Sequence, residues 1–183
     1  MFELLEFTTA CKRVVANGPK AILELMQDTL QDLESVKKAT AELSAASPIA
    51  LLHEAEDLLI ANIALEALTD SPAHNHTMWA VIGIYQGRED NVFFERRNDT
   101  LSEKNRRAVH AGEAIVLGPE VIHAVSNPLS TPTLGIHVYG GNLRTAQRSM
   151  WHPKTLQECP YDAATFFGWS REMSEAFRVA RSA

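Results

Sequence analysis

The sequence predicts a mainly β domain, a sandwich or barrel, with a helical segment before it and a short helical region after it. Three observations predict this. Eight of the nine glycines lie from Gly83 onward. Beyond residue 57, short apolar runs alternate with breakers such as Asp70-Ser71-Pro72, Gly87, Gly112, Gly118-Pro119 and Asn127-Pro128, the pattern of closely spaced strands. Residues 1–47, by contrast, hold one glycine and one proline, no Trp or Tyr, and many Ala, Leu, Glu and Lys, which are good helix formers. The 183 residues make one domain's length. We divide it into N-terminal helices over 1–47, a barrel over 48–150 and a C-terminal segment over 151–183.

A first helix is expected around residues 2–16. Gly18-Pro19 punctuates the chain, with Pro suited to the first turn of the next helix. Over 21–43, Ile22, Leu23, Leu25, Met26, Leu30, Leu33 and Val36 recur at spacings of three and four, the stripe of an amphipathic helix. That helix packs on its own barrel or on a second subunit, so a homodimer is one expectation. Residues 44–48 read as a linker. Strands are expected within 58–68, 78–85, 92–95, 114–117, 121–125 and 133–139. The charges of 88–97 read as a solvated hairpin and those of 104–107 as a loop. Residues 153–183 read as helical, with Phe166, Phe167, Trp169, Met173 and Phe177 as packing residues.

Composition excludes several classes. With 17 Lys and Arg against 23 Asp and Glu, the net charge is -6, opposite to the basic surface that nucleic-acid binding needs. No apolar run reaches the ~20 residues of a membrane span. The acidic start, Met1-Phe2-Glu3-Leu4-Leu5-Glu6, is unlike a signal peptide. Cys11 and Cys159 are too few for a disulfide framework or a Cys-based zinc site and fit a reducing cytoplasm.

The seven histidines are not scattered. His74 and His76 stand at i and i+2, a spacing that puts both rings on one face of a strand. Two imidazoles on one face can bind a divalent metal, and the alternative is a solvent-facing polar pair. His137 and Tyr139 have the same spacing, so a phenol and an imidazole share a face. Asn75 and Thr77 alternate with the candidate ligands and are expected to face away. Asn127 suits a turn. His53, His110 and His152 are expected at the surface or an interface.

Two stretches together resemble the paired motifs of the cupin superfamily. One is His74-Asn-His-Thr-Met-Trp-Ala-Val-Ile-Gly-Ile-Tyr-Gln-Gly87. The other is Gly112-Glu-Ala-Ile-Val-Leu-Gly-Pro-Glu-Val-Ile-His123-Ala-Val-Ser-Asn127. The resemblance implies a double-stranded β-helix barrel and a metal held by His74, His76 and His123. The carboxylate of the first motif falls on Ala80, so three neutral imidazoles remain. Such a site keeps more positive charge than one with a carboxylate. It favours an anionic ligand such as a thiolate or enolate, and leaves positions open for substrate, water or O₂.

Among cupins, a three-histidine set is similar to that of the thiol dioxygenases acting on cysteine or 3-mercaptopropionate. Gly135-Ile-His137-Val-Tyr139 resembles their Ser-x-His-x-Tyr run, with Gly135 in place of the Ser. Arg148 falls where the mercaptopropionate branch carries an Arg. Over residues 57–165 the chain looks closest to a group of predicted metal-dependent enzymes allied to cysteine dioxygenases. The resemblance implies Fe(II), with Zn, Ni, Mn or Cu as alternatives. It also implies a small thiol or carboxylic-acid substrate and O₂, with a sulfinate as product. His137 and Tyr139 are then the catalytic pair, Arg148 the carboxylate-binding residue, and Trp79 a substrate wall or a packing residue. Two other readings stay open: an oxygenase of β-diketone-like carbon acids or an isomerase, and a non-enzymatic cupin that binds a small molecule.

Overall fold

The computed structural model describes every residue except Asp99 and Ala183. Three helices precede the strands. Helix α1 (Leu4–Val14) runs into a 3₁₀ turn (Val15–Asn17). Gly18, at φ 79°, reverses the chain, and Pro19 opens α2 (Pro19–Thr29) at a position where its missing N–H costs nothing. The stripe over 21–43 is two helices rather than one. Asp32 accepts a hydrogen bond from the Ser35 N–H at 3.1 Å and so caps a new helix, α3 (Leu33–Ala46). That helix takes in the start of the expected linker.

Among the described residues twelve strands follow: β1 (Ile49–Glu54), β2 (Leu59–Leu65), β3 (Thr69–Asp70), β4 (His74–Asn75), β5 (Ala80–Gln86), β6 (Arg88–Arg97), β7 (Thr100–His110), β8 (Ala114–Leu117), β9 (Ile122–Asn127), β10 (Thr133–Tyr139), β11 (Ser149–Trp151) and β12 (Glu158–Pro160). Helix α4 (Ala163–Ser182) closes the described chain. The helical region is therefore shorter than 153–183: β11 and β12 carry the sheet to Pro160, and Ala183 lies outside the described residues. Residues 104–107 lie not in a loop but within β7, which pairs along the whole of β6.

The strand order decides the architecture. One sheet runs β1-β2-β10-β5-β8 and the other β12-β11-β4-β9-β6-β7, with β3 also on β9. All pairings are antiparallel. The inner eight strands, 2-10-5-8 facing 4-9-6-7, form the two interleaved Greek keys of a jelly roll, which is the double-stranded β-helix barrel. The fold is thus mainly β, with an N-terminal helical segment and a C-terminal helix.

The middle of the first sheet is buried on both faces. Alternate residues of β5 (Ala80, Ile82, Ile84) and β8 (Ile115, Leu117) fill the barrel. Those between them, Val81 and Tyr85, meet Phe7, Cys11, Ile22, Met26 and Val36 of the helices. Each such fully buried aliphatic or aromatic side chain contributes about 1.5–3 kcal/mol. Burial pushes the Cys11 thiol up to about 12, so it is a packing residue and not a nucleophile. One polar knot lies in this layer. Tyr85 Oη donates to Asn62 Oδ1 at 2.7 Å, and Asn62 Nδ2 donates to Ser44 Oγ at 2.9 Å.

Trp79 belongs to this helix-facing layer. It is odd-numbered like Val81 and Tyr85, so it points away from the barrel interior. Of the two expectations for Trp79, this placement is the packing one: the indole lies against Gly140, where an added Cβ would come within 1.9 Å of Trp79 Cε2. Gly140→Ala is therefore expected to destabilise the protein by about 1–3 kcal/mol, because a rigid indole with buried neighbours has nowhere to move. Urea unfolding of the variant checks this, and an unchanged midpoint would mean that the indole is mobile. No helix among the described residues is long and apolar enough to cross a membrane.

Candidate metal centre

Strand pairing assembles the centre. His74 of β4 and His123 of β9 are direct cross-strand partners. His76 follows just past the end of β4. Thr77 then turns the chain with φ 57°, a conformation uncommon outside glycine, and its hydroxyl donates to the His76 carbonyl at 2.7 Å. The turn, rather than strand alternation alone, brings His76 to the same spot as His74. The ring centroids lie 4.6–5.2 Å apart: 4.6 Å for His74–His123, 5.0 Å for His76–His123 and 5.2 Å for His74–His76.

The outer nitrogens of two rings are already in use. His74 Nδ1 lies 3.2 Å from the Pro72 carbonyl, an acceptor only, so that nitrogen carries the proton. His123 Nδ1 lies 2.8 Å from Asn91 Oδ1. Both rings therefore present a bare Nε2 inward. His123 Nε2 and His76 Nε2 are 3.4 Å apart, and one ligand atom from each of the three histidines lies within 4.8 Å of the others. Two nitrogens bound to one ion at ~2.1 Å, at octahedral to tetrahedral angles, stand ~3.0–3.4 Å apart. The residues fit a divalent metal.

Electrostatics agree with that fit. The three rings are nearly excluded from solvent, at 9% exposure or less. Burial takes His74 down to about 4 and carries His76 and His123 well below the ordinary histidine range, with mutual repulsion adding to the effect. All three are neutral near pH 7, the form that ligates.

Around them stand two groups. His137 and Tyr139, both on the inward face of β10, form the first: His137 Nδ1 lies 3.2 Å from Tyr139 Oη. The Tyr139 ring meets His76 edge-on at 5.1 Å. Arg148 forms the second, one residue before β11, whose Met150 pairs with His74. Its guanidinium lies 3.4 Å over the Tyr161 ring, a cation–π contact that fixes its orientation. Its positive charge lowers the proton affinity of His74 and His76 and eases ionisation of Tyr139. For Tyr139, burial outweighs this and pushes the phenol well up.

Helix α4 caps the centre. Asp162 accepts from the Thr165 N–H at 2.8 Å, starting the helix so that Phe166 in its first turn meets His74 edge-on at 5.1 Å. Ser170 and Ser174 tie the helix to the Asp70 backbone. On the other side of Phe166 a cleft of about 1040 Å³ opens between α4 and the barrel, lined among others by Ile63, Leu65, Val125 and Phe167.

Other expected residues lie elsewhere. Asn75 is buried and accepts from the Ser149 N–H at 2.7 Å, holding β11. Asn127 ties down a turn: its amide donates to the carbonyls of Leu65, Glu66 and Thr131. His53 and His152 are half-buried and His110 is exposed, all outside the centre.

Sequence reasoning missed Glu89 and Asn91. Both are fully buried, on the inward face of β6, within a stretch that reads as a solvated hairpin. The signal lay in the alternation Glu89, Asn91, Phe93, but two polar residues on that face disguise it. Phe166 as the cap was also missed.

No protein-family model matches the chain, and no curated protein is detectably similar to it in sequence. Solved structures are similar in shape. One is a protein from Bacillus halodurans, with 18% identity, a TM-score of 0.46, and coverage of 52% of this chain and 70% of that one. Another is an RmlC-like cupin with a double-stranded β-helix fold from Methanocaldococcus jannaschii, with 14% identity, a TM-score of 0.44, and coverage of 52% and 81%. A third is hydroquinone 1,2-dioxygenase from Sphingomonas sp. TTNP3, with 10% identity, a TM-score of 0.46, and coverage of 56% and 72%. The fold and the site together define a double-stranded β-helix protein with a three-histidine group able to hold a metal ion.

Proposed function

We propose that this protein is a thiol dioxygenase that converts a small carboxylate-bearing thiol, of the 3-mercaptopropionate or cysteine type, to its sulfinate with O₂ in the reducing cytoplasm. The observation that carries the reading is the convergence of three neutral imidazoles beside the His137–Tyr139 pair, with Arg148 stacked at the rim. His74, His76 and His123 would hold ferrous iron, which when bound supplies a centre where thiolate and O₂ meet.

The protein's own residues do the rest. The Pro72 carbonyl and Asn91 hold His74 and His123 so that Nε2 faces inward. Arg148 offers a planar fork for the substrate carboxylate. Tyr139 turns its hydroxyl to His137 and sets its ring edge-on to His76. Phe166 keeps water from His74. The balance is one thiol plus one O₂ giving one sulfinic acid, with no outside reductant. A second reading, a carbon acid bound as its enolate, rests on the same three neutral imidazoles, whose retained positive charge favours an anionic ligand.

The test is oxygen uptake by protein loaded anaerobically with Fe(II), given 3-mercaptopropionate, cysteine and cysteamine in turn, with His123→Ala as blank. Uptake is expected with the acids, one O₂ per sulfinate. Arg148→Leu is expected to raise KM for the acids about 10- to 100-fold, the worth of a charged hydrogen bond, and to leave cysteamine unaffected. No uptake by iron-loaded protein overturns the thiol reading, and uptake with a β-diketone then supports the second.

A further inference from the structure

Glu89 is the least expected group in the barrel. Its carboxylate is completely buried, yet it makes no salt bridge with a Lys or Arg among the described residues. Oε1 accepts from Asn91 Nδ2 at 2.9 Å. Oε2 has no hydrogen-bond partner among the described residues, and it lies 3.9 Å from His137 Nε2. A buried carboxylate oxygen without a partner is costly, and such an atom facing an imidazole nitrogen needs an explanation.

The two residues come from opposite sheets, β6 and β10, and meet across the interior. Gly135 makes the approach feasible. It precedes His137 by two residues on the same face, and a Cβ there would stand 3.3 Å from His137 Nε2 and 2.9 Å from Ile84 Cδ1. The strand that carries His137 therefore puts no side chain at Nε2, and the space is left to Glu89. The other ring nitrogen of His137 already faces Tyr139.

We propose that Glu89 is the positioning residue of the centre: it accepts the Nε2–H of His137, which leaves Nδ1 to accept from the Tyr139 hydroxyl. Through Asn91 the same carboxylate also orients His123. One buried group then holds both a metal-ligand arm and a tyrosine arm, and the direction of the Tyr139 hydroxyl follows from it. A separation of 3.9 Å shortens to a hydrogen bond with a small side-chain rotation. The role in turnover rests on the thiol dioxygenase reading, whereas the tautomer does not.

The experiment is ¹⁵N NMR of the histidine rings at pH 8 in the metal-free protein and in Glu89→Gln, with turnover measured alongside. In the unaltered protein His137 is expected to carry its proton on Nε2. Glutamine has the same shape but turns an N–H toward His137, so the proton is expected to move to Nδ1. With iron loaded, kcat is expected to fall about tenfold with the thiol KM and iron content unchanged, in the range for groups that orient metal ligands. A proton on Nδ1 in the unaltered protein overturns the proposal even if the variant fails to fold, as does an unchanged tautomer in Glu89→Gln. A switched tautomer with unchanged kcat overturns the role in turnover. Absence of thiol activity in the unaltered protein removes the thiol reading while the tautomer result stands.

Discussion

Replacing His123 with alanine is expected to abolish stoichiometric divalent-metal binding while leaving the barrel folded. His123 is the innermost ligand, 1% exposed, and touches both other histidines. Removing it leaves two nitrogens, which hold a divalent ion far more weakly than three. The orienting contact predicts a graded series. Asn91→Ala leaves all three ligands but frees the His123 ring, and losses of about 10- to 100-fold in affinity are usual for such changes. His123→Ala should lose more. Titration against a competing chelator, with circular dichroism to monitor folding, separates the cases. Iron retained by His123→Ala at the original affinity would place the metal elsewhere.

The second large effect is acid lability of the metal-free protein. An unfolded histidine takes up its proton near 6.5. In the fold, burial holds His74 to about 4 and His137 to about 3, with His76 and His123 also well below the ordinary range. Between these limits the unfolded chain binds protons that the folded one does not. The contribution to stability is therefore fully present above pH 6.5 and is lost as pH falls toward 4. His74 and His137 alone give a slope of ~2.7 kcal/mol per pH unit, against a total stability of order 5–15 kcal/mol. Glu89 opposes this. Burial raises it to about 7, so its contribution is present below 4.5 and is lost as pH rises through 7. One carboxylate offsets about one histidine, and the histidines win. Urea midpoints from pH 8 to pH 4.5 should fall steeply below 6.5. Saturating Zn(II) should delay the fall, because the metal holds the rings neutral. A flat profile between pH 7 and 5 would mean that the rings are hydrated and the centre is not assembled.

Much of the centre was legible because it is written in short-range spacing. His137 and Tyr139 share a strand face at i and i+2, and β10 covers the residues over which the apolar run predicted it. The pair His74 and His76 also converges, but through a turn at Thr77 that the spacing does not reveal. The break between α2 and α3 was written as an Asp32 cap inside an otherwise continuous stripe, where the periodicity outweighed it.

What the sequence by itself determined was the barrel, its helical flanks and the histidines of the centre, since apolar alternation, breakers and ligand spacing are local properties of the chain. What only the tertiary structure decided was which face each strand turns inward and what reaches the centre from afar. Along β5, every residue from Ala80 to Tyr85 is buried, because helices cover one face and the barrel interior the other. With both faces apolar, no alternation tells inside from outside, and Trp79 could be read either way. Along β6 the ambiguity is reversed: Glu89 and Asp90 are adjacent acids, and register alone buries the first and pairs the half-buried second with Arg88. Phe166 reaches His74 from 92 residues downstream, through the docking of α4. Register and docking are settled by long-range pairing and burial, and a one-residue shift in either would exchange the two faces.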